Sequence, residues 1–210
     1  MKTIIINASP RKNWNTARLL QEAMHGAKSI GEEIEYINLY DIPFTGCHSC
    51  LVCKRKDVDE PCKCYWKDEL SPILERVYQA DRLILGSPIY FSEPTGQLRS
   101  FIERIAFPAL SYNDYSSNFA RKIDVDVILT MNVGEEFYKK AYEKRFKEYF
   151  NPMHFLNGEI RIFPALDTLQ INDYFKYNMA GFSAEHKMEV HKKVFPSDMA
   201  RAYQIGAKKL

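Results

Sequence analysis

The sequence predicts an open, doubly wound α/β domain on a sheet of five parallel strands with helices on both faces. Three observations carry this reading. Short β-branched apolar runs recur along the chain, segments of helical period separate them, and loops rich in small polar residues follow the strands. At 210 residues and 46% hydrophobic side chains, one core is the expectation. Residues 1–210 are therefore read as a single domain, with a Cys-rich insert at about 41–67 and an irregular aromatic segment at about 164–184.

The strands are read at Thr3–Asn7, Ile34–Asn38, Leu83–Gly86, Val125–Met131 and Glu159–Phe163. Each run is too short for an ordinary helix and suits a strand buried on both faces. Between them, Leu19, Leu20, Ala23, Met24 and Ala27 share one face of a helix over Thr16–Ile30. Leu70, Ile73, Leu74 and Val77 do the same after Asp68 and Glu69, whose charges suit a helix start. Leu98, Phe101, Ile102 and Ile105 form the apolar face of a helix after Thr95, and Glu135–Phe150 and Ser197–Leu210 supply two more. The stretch Asp167–Phe182 fits no period and is left unassigned. In a sheet of this kind ligands sit at the carboxyl ends of the strands.

Composition excludes several classes. With 29 basic and 27 acidic residues the net charge is +2, and the cations are scattered rather than striped, against nucleic acid as a partner. No apolar run reaches bilayer length, and the apolar stretch after Met1 is too short for a signal-peptide core, so a cytoplasmic, soluble protein without a membrane partner is expected. No G-x-G-x-x-G follows a strand and no G-x-x-x-x-G-K-[ST] occurs, against a dinucleotide Rossmann site or an NTPase.

Two strand-end loops are candidates for a site. The first reads Ser9-Pro10-Arg11-Lys12-Asn13-Trp14-Asn15-Thr16 before entering a helix. Small hydroxyl and amide side chains, an arginine and a helix N-terminus suit a phosphate; the plainer alternative is a helix cap followed by a surface turn. The second, Gly86-Ser87-Pro88-Ile89-Tyr90-Phe91-Ser92-Glu93-Pro94-Thr95-Gly96, joins rigid prolines to aromatic rings. It suits a flat ring system, or else Tyr90 and Phe91 are core or interface aromatics.

These two loops, the cysteines between them and the helix Gly96-Gln97-Leu98-Arg99-Ser100-Phe101-Ile102-Glu103-Arg104 resemble, in order over most of residues 1–135, the NADPH-dependent FMN reductase and multimeric flavodoxin family, nearest its iron–sulfur flavoprotein branch. The resemblance implies a flavodoxin-like fold that holds FMN. Ser9, Arg11, Asn13, Asn15 and Thr16 would take the phosphate, and Pro88, Ile89, Tyr90 and Phe91 the ring region. Thr130, Met131, Asn132 and Gly134 would form a third wall. It further implies electron flow from NAD(P)H or reduced ferredoxin through FMN to a quinone or other acceptor, and a homodimer or homotetramer. Tyr174, Phe175, Tyr177 and Phe182 could serve that interface or pack within one chain. Ala8 and Trp14 stand where the family commonly has glycine. No catalytic side chain is named, because the redox chemistry belongs to the cofactor.

Five cysteines crowd between Cys47 and Cys64, an odd number and a poor disulfide framework. Cys47-x2-Cys50-x2-Cys53 places three thiols on one loop, and a fourth would complete the Cys₄ set of a [4Fe–4S] cluster or a structural zinc. By the resemblance to the iron–sulfur flavoproteins, whose last gap is usually shorter than the eight residues that separate Cys53 from Cys62, Cys62 is nearer the spacing of their fourth ligand and Cys64 better matches their Cys-x3-Asp register, here leading to Asp68. Free thiols remain the other reading. His48 reads as a bystander and Lys54–Glu60 as a solvated loop. Two rivals to an FMN reductase are an FMN and cluster electron carrier without a small substrate, and a zinc-stabilised binding module.

Overall fold

A computed structural model describes residues 1–58, 60 and 62–209. Leu210, the end of the helix expected from Ser197, and Asp59 of the charged loop lie outside the described residues. Strand alternation builds the two layers of the core. In β1 (Lys2–Asn7), Ile4 and Ile6 join Leu83, Leu85, Val125 and Val127 on one face of the sheet, while Ile5 joins Ile84 and Ile128 on the other. The first face is covered by α2 (Ser71–Tyr78), α3 (Gly96–Ala109) and the Phe146–Phe150 end of the helix after β5, and the second by α1 (Asn15–Ser29) and α7 (Phe195–Ala207).

With β2 (Glu33–Asn38), β3 (Arg82–Tyr90), β5 (Ile123–Thr130) and β6 (Asn157–Ala165), the five parallel strands run in the order β2-β1-β3-β5-β6. This is the flavodoxin-like arrangement, in which the strand order reverses between β1 and β3 and opens a crevice at their carboxyl ends. The expected strands and fold class are found, with longer bounds. β3 runs on to Tyr90 because Ile89 and Tyr90 pair antiparallel with a two-residue β4 (Glu93–Pro94), so the loop predicted after strand three is partly a hairpin.

Two further features depart from the expectations. The helix predicted over Glu135–Phe150 is divided: α4 (Glu135–Phe137), a π turn at Tyr138–Tyr142, and α5 (Glu143–Phe150). A helix without a strong apolar stripe, α6 (Ala184–Lys193), starts at the Ser183 cap, whose Oγ accepts from the His186 N–H. Asp167–Phe182 is irregular apart from a single 3₁₀ turn at Tyr174–Lys176.

α1 and α7 touch backbone to backbone. A Cβ on Gly206 would lie 1.8 Å from the Ala23 carbonyl oxygen, and one on Gly26 would lie 2.0 Å from that of Tyr203, so only hydrogen fits at this crossing. Across the sheet beneath them Arg82, wholly buried, donates to the Asp126 carboxylate and to the Gly206 and Ile205 carbonyls, tying the end of α7 to β3 and β5.

Candidate functional site

The crevice is assembled from the ends of three strands. β1 ends at the buried Asn7, whose Nδ2 donates to Asn38 Oδ1 at 2.9 Å and whose Oδ1 accepts from the Ser9 N–H at 3.0 Å. Ser9 Oγ then accepts from the Arg11 N–H at 3.1 Å, turning the loop back toward α1. α1 begins after Trp14 with no side-chain cap and no acidic residue in its first turn. Its N-terminal dipole therefore has no anion of its own chain in that turn.

The third-strand loop is fastened to the first by Thr95. Its N–H donates to Ser87 Oγ at 3.0 Å, its Oγ1 donates to the Ala8 carbonyl at 2.9 Å, and the same oxygen caps α3 by accepting from Leu98 N–H. The Ala8 N–H in turn donates to the Gly86 carbonyl. Gly86 has its own reason to be glycine, since a Cβ would lie 2.5 Å from Leu20 Cδ1 of α1. Thr16 and Thr130 share a buried hydrogen bond of 2.7 Å, joining α1 to the end of β5.

The walls enclose a cleft of about 180 Å³ lined by Ser9, Arg11, Asn15, Thr16, Pro88, Ile89, Tyr90, Thr130, Met131 and Asn132, all candidates from the sequence. Asn13 is exposed and faces a neighbouring depression, Gly134 serves as the exposed N-cap of α4, and Phe91 projects fully exposed from the β3–β4 turn. Phe91 and Ser92 both take positive φ, 49° and 68°, the twist a two-residue hairpin demands. Burial pushes the Tyr90 phenol up, and neighbouring Arg11 only partly offsets this.

Trp14, Thr168, Leu169 and Gln170 also line the cleft. The last three belong to the segment that carries no sequence period. Trp14 is there for a visible reason: its Nε1 donates to the Leu169 carbonyl at 3.0 Å, and Asn15 Nδ2 donates to the same oxygen at 2.7 Å. Arg11 Nη1 donates to the next carbonyl, that of Gln170. Thr95 positions the cleft without lining it, and the sequence marks it only as a loop residue ahead of an apolar helix, a cap signal.

The Cys insert folds apart from the cleft, over α3. Buried Arg104 holds it: the guanidinium donates to both Asp68 oxygens, to the Thr45 and Trp66 carbonyls and, through Nε at 3.0 Å, to Cys64 Sγ. Burial pushes the Asp68 carboxyl up, yet the Arg104 contacts outweigh it and hold the group below the usual carboxylate range. Lys54 departs from the solvated loop expected of it. Its ammonium caps α3 by donating to the Phe107 and Leu110 carbonyls, acceptors that the end of the helix leaves free. His48 stacks on Trp66 with ring centroids 3.6 Å apart, a packing role.

The insert does not present the predicted four-thiol set. Cys47 and Cys50 are exposed and Cys53 is half-buried, whereas Cys62 is buried at φ 61° and its thiol is pushed up to about 11 by burial. Among the described residues no group of three or more Cys, His, Asp or Glu is placed to hold a metal ion.

The fold is that of a flavodoxin-like protein, with this cleft at the strand-order reversal. The chain belongs to the NADPH-dependent FMN reductase family, whose model matches residues 1–132. An iron–sulfur flavoprotein of Methanocaldococcus jannaschii is 38% identical over 104 residues, covering 50% of this chain and 51% of that one. An iron–sulfur flavoprotein of Methanosarcina thermophila is 28% identical over 140 residues, 65% of this chain and 68% of that one. The chain thus spans about half the length of the curated relatives from M. jannaschii and Archaeoglobus fulgidus that it matches. Among solved structures, an NAD(P)H:quinone oxidoreductase from Methanothermobacter marburgensis superposes with a TM-score of 0.72 at 15% identity, covering 99% of this chain and 94% of that one. An FMN-dependent NADH-azoreductase from Bacillus anthracis, in complex with FMN, gives 0.63 at 18%, covering 98% and 99%. At these identities the likeness is one of fold.

Proposed function

We propose that this chain is an oxidoreductase that holds FMN in the β1–β3 crevice and passes electrons from NAD(P)H, or from reduced ferredoxin, to a quinone or other acceptor. The observation that carries this reading is the convergence of three strand-end loops on one cleft at the place where such folds bind ligands. The residues fit the cofactor. The phosphate would meet an α1 N-terminus that has no capping side chain, together with Ser9, Arg11, Asn13, Asn15 and Thr16. Asn132 Oδ1 is buried with no hydrogen-bond partner among the described residues, an acceptor suited to the N–H edge of a flavin ring. Tyr90 and Phe91 offer aromatic surface, and Pro88 and Ile89 the stiff backbone beneath it. FMN, when bound, supplies two-electron redox chemistry; the protein orients it and leaves a face open.

The free thiols agree with a cytoplasmic setting, and no helix among the described residues is long and apolar enough to cross a membrane. Exposed Tyr177, which lines the depression beside the cleft, and exposed Phe175 support a homodimer or homotetramer. The set Cys47, Cys50, Cys53 and Cys62 does not fit a cluster as placed, so the redox path is assigned to the flavin.

The test is to add FMN to the purified chain and titrate the complex, without oxygen, with NADPH and NADH, then with a quinone. Bleaching of the flavin band by either nucleotide and its return with quinone is the expected result. Binding of FMN without reduction by nucleotide would leave an electron carrier. No binding of FMN would overturn the reading.

A further inference from the structure

The cleft of about 180 Å³ is smaller than the roughly 300–1,000 Å³ usual for ligand pockets. Beside it lies a second depression of about 510 Å³ lined by Asn13, Asp173, Lys176 and Tyr177. Arg11, Trp14 and Gln170 line both, so the wall between them is the contact of the first loop with the segment after β6.

That segment has a fixed root and a latched middle. At the root, Asp167 N–H donates to the Val133 carbonyl, and Thr168 donates twice to that of Met131, from N–H at 2.9 Å and Oγ1 at 3.1 Å. Asp167 sits at φ 52° and its carboxylate is held by His186 and the buried Lys187 of α6. Beyond the root, Leu169 and Gln170 offer their carbonyls to Trp14, Asn15 and Arg11. Tyr174 braces this turn, its hydroxyl accepting from Gln170 N–H and donating to Gln170 Oε1 at 2.6 Å.

Arg11 and Asn15 are the side chains with which the first loop would grip a phosphate; each keeps further N–H groups, but the bond to a Leu169 or Gln170 carbonyl turns the guanidinium and the amide toward this segment, so a phosphate competes for their orientation. We propose that Leu169–Tyr177 is a strap that competes with the phosphate end of FMN for these donors, hinged at Asp167–Thr168 and gated by Trp14. Trp14 strengthens the closed strap and offers the phosphate nothing that this inference requires, so weakening it favours the cofactor. The inference rests on the FMN reading above.

FMN is titrated into the full chain and into Trp14→Phe and Tyr174→Phe, followed by quenching of flavin fluorescence, with amide hydrogen exchange on each. Trp14→Phe keeps an aromatic ring and deletes one latch bond, so about fivefold tighter binding is expected, the worth of one hydrogen bond. Tyr174→Phe loosens the brace and shifts affinity the same way by less. In wild type, FMN should speed exchange over 169–177 while Asp167 and Thr168 stay protected. Binding that is unchanged or weaker in both variants, or slower exchange across the strap, overturns the inference and leaves the FMN reading standing. No binding to wild type or either variant, with their sheet amides protected, overturns the FMN reading itself. Should Trp14→Phe not fold, Tyr174→Phe and the wild-type exchange pattern decide.

Discussion

Two arginines, Arg82 and Arg104, are almost wholly buried, and they do different work. Arg82 opens β3 within the sheet, where its partners are Asp126 and the carbonyls at the end of α7, all parts of the permanent core. Arg104 lies on α3, and its partners are Asp68, two loop carbonyls and a cysteine, all in or beside the insert. The first closes the domain. The second pins a loop that could not otherwise pack, because the described insert has no regular element longer than the three-residue turn Val52–Lys54. A buried charge is costly alone and tolerable when every donor is used. The difference lies in what each loss would release.

Breaking the comparison at its stronger end should give the largest effect. Arg82→Met strands Asp126 beside Arg161 alone and frees the α7 carbonyls, so it should cost about 3 kcal/mol, the lower end for breaking a buried pair because Arg161 remains. Urea unfolding would measure it. A cost under 1 kcal/mol would mean that Arg161 and Arg82 are interchangeable. Gly206→Ala tests the same region without touching charge. Its Cβ would run into the Ala23 carbonyl, and separating α1 from α7 should cost about 1–3 kcal/mol.

How far the sequence reveals these regions follows from their contacts. β1, β5 and α1 are written in local periods, and their bounds agree with the structure to within a few residues. The cleft residues of the first and third strand ends are likewise local, because loop chemistry and strand position suffice to pick Ser9, Arg11 and Tyr90, whereas Asn132 after β5 comes from the family resemblance alone. Leu169 and Gln170 are not, since they act through backbone carbonyls that any residue supplies. Arg82 and Arg104 look like ordinary surface cations until partners 44 and 36 residues away come into view. α6 is hidden for another reason: it buries only Lys187 and so has no apolar stripe. Trp14 reads as a departure from a glycine pattern, and only the strap contact explains it.

At the weaker end, Arg104→Met should cost about 2 kcal/mol, less than Arg82→Met because Asp68 keeps partial access to water. Its signature is local: faster proteolysis and thiol labelling within 47–67, with exchange in β1 and β3 unchanged. Faster exchange in the sheet would instead place Arg104 with Arg82 as a part of the core.

The smallest effect separates the two arginines by pH. The Asp68 carboxyl is depressed in the folded chain relative to about 3.9 unfolded, so its contribution is present above that value and fades as pH falls through its lower folded value. Stability measured from pH 5 downward should therefore fall through this window in wild type. In Arg104→Met the guanidinium that outweighs the burial of Asp68 is gone, so that component of the fall should vanish or change sign. Arg82→Met keeps Asp68 and Arg104 intact, and its acid profile should run parallel to wild type, displaced downward. Parallel profiles for all three would show that Asp68 titrates alike in folded and unfolded chains, and that the insert is held by packing rather than by the Arg104 ion pair.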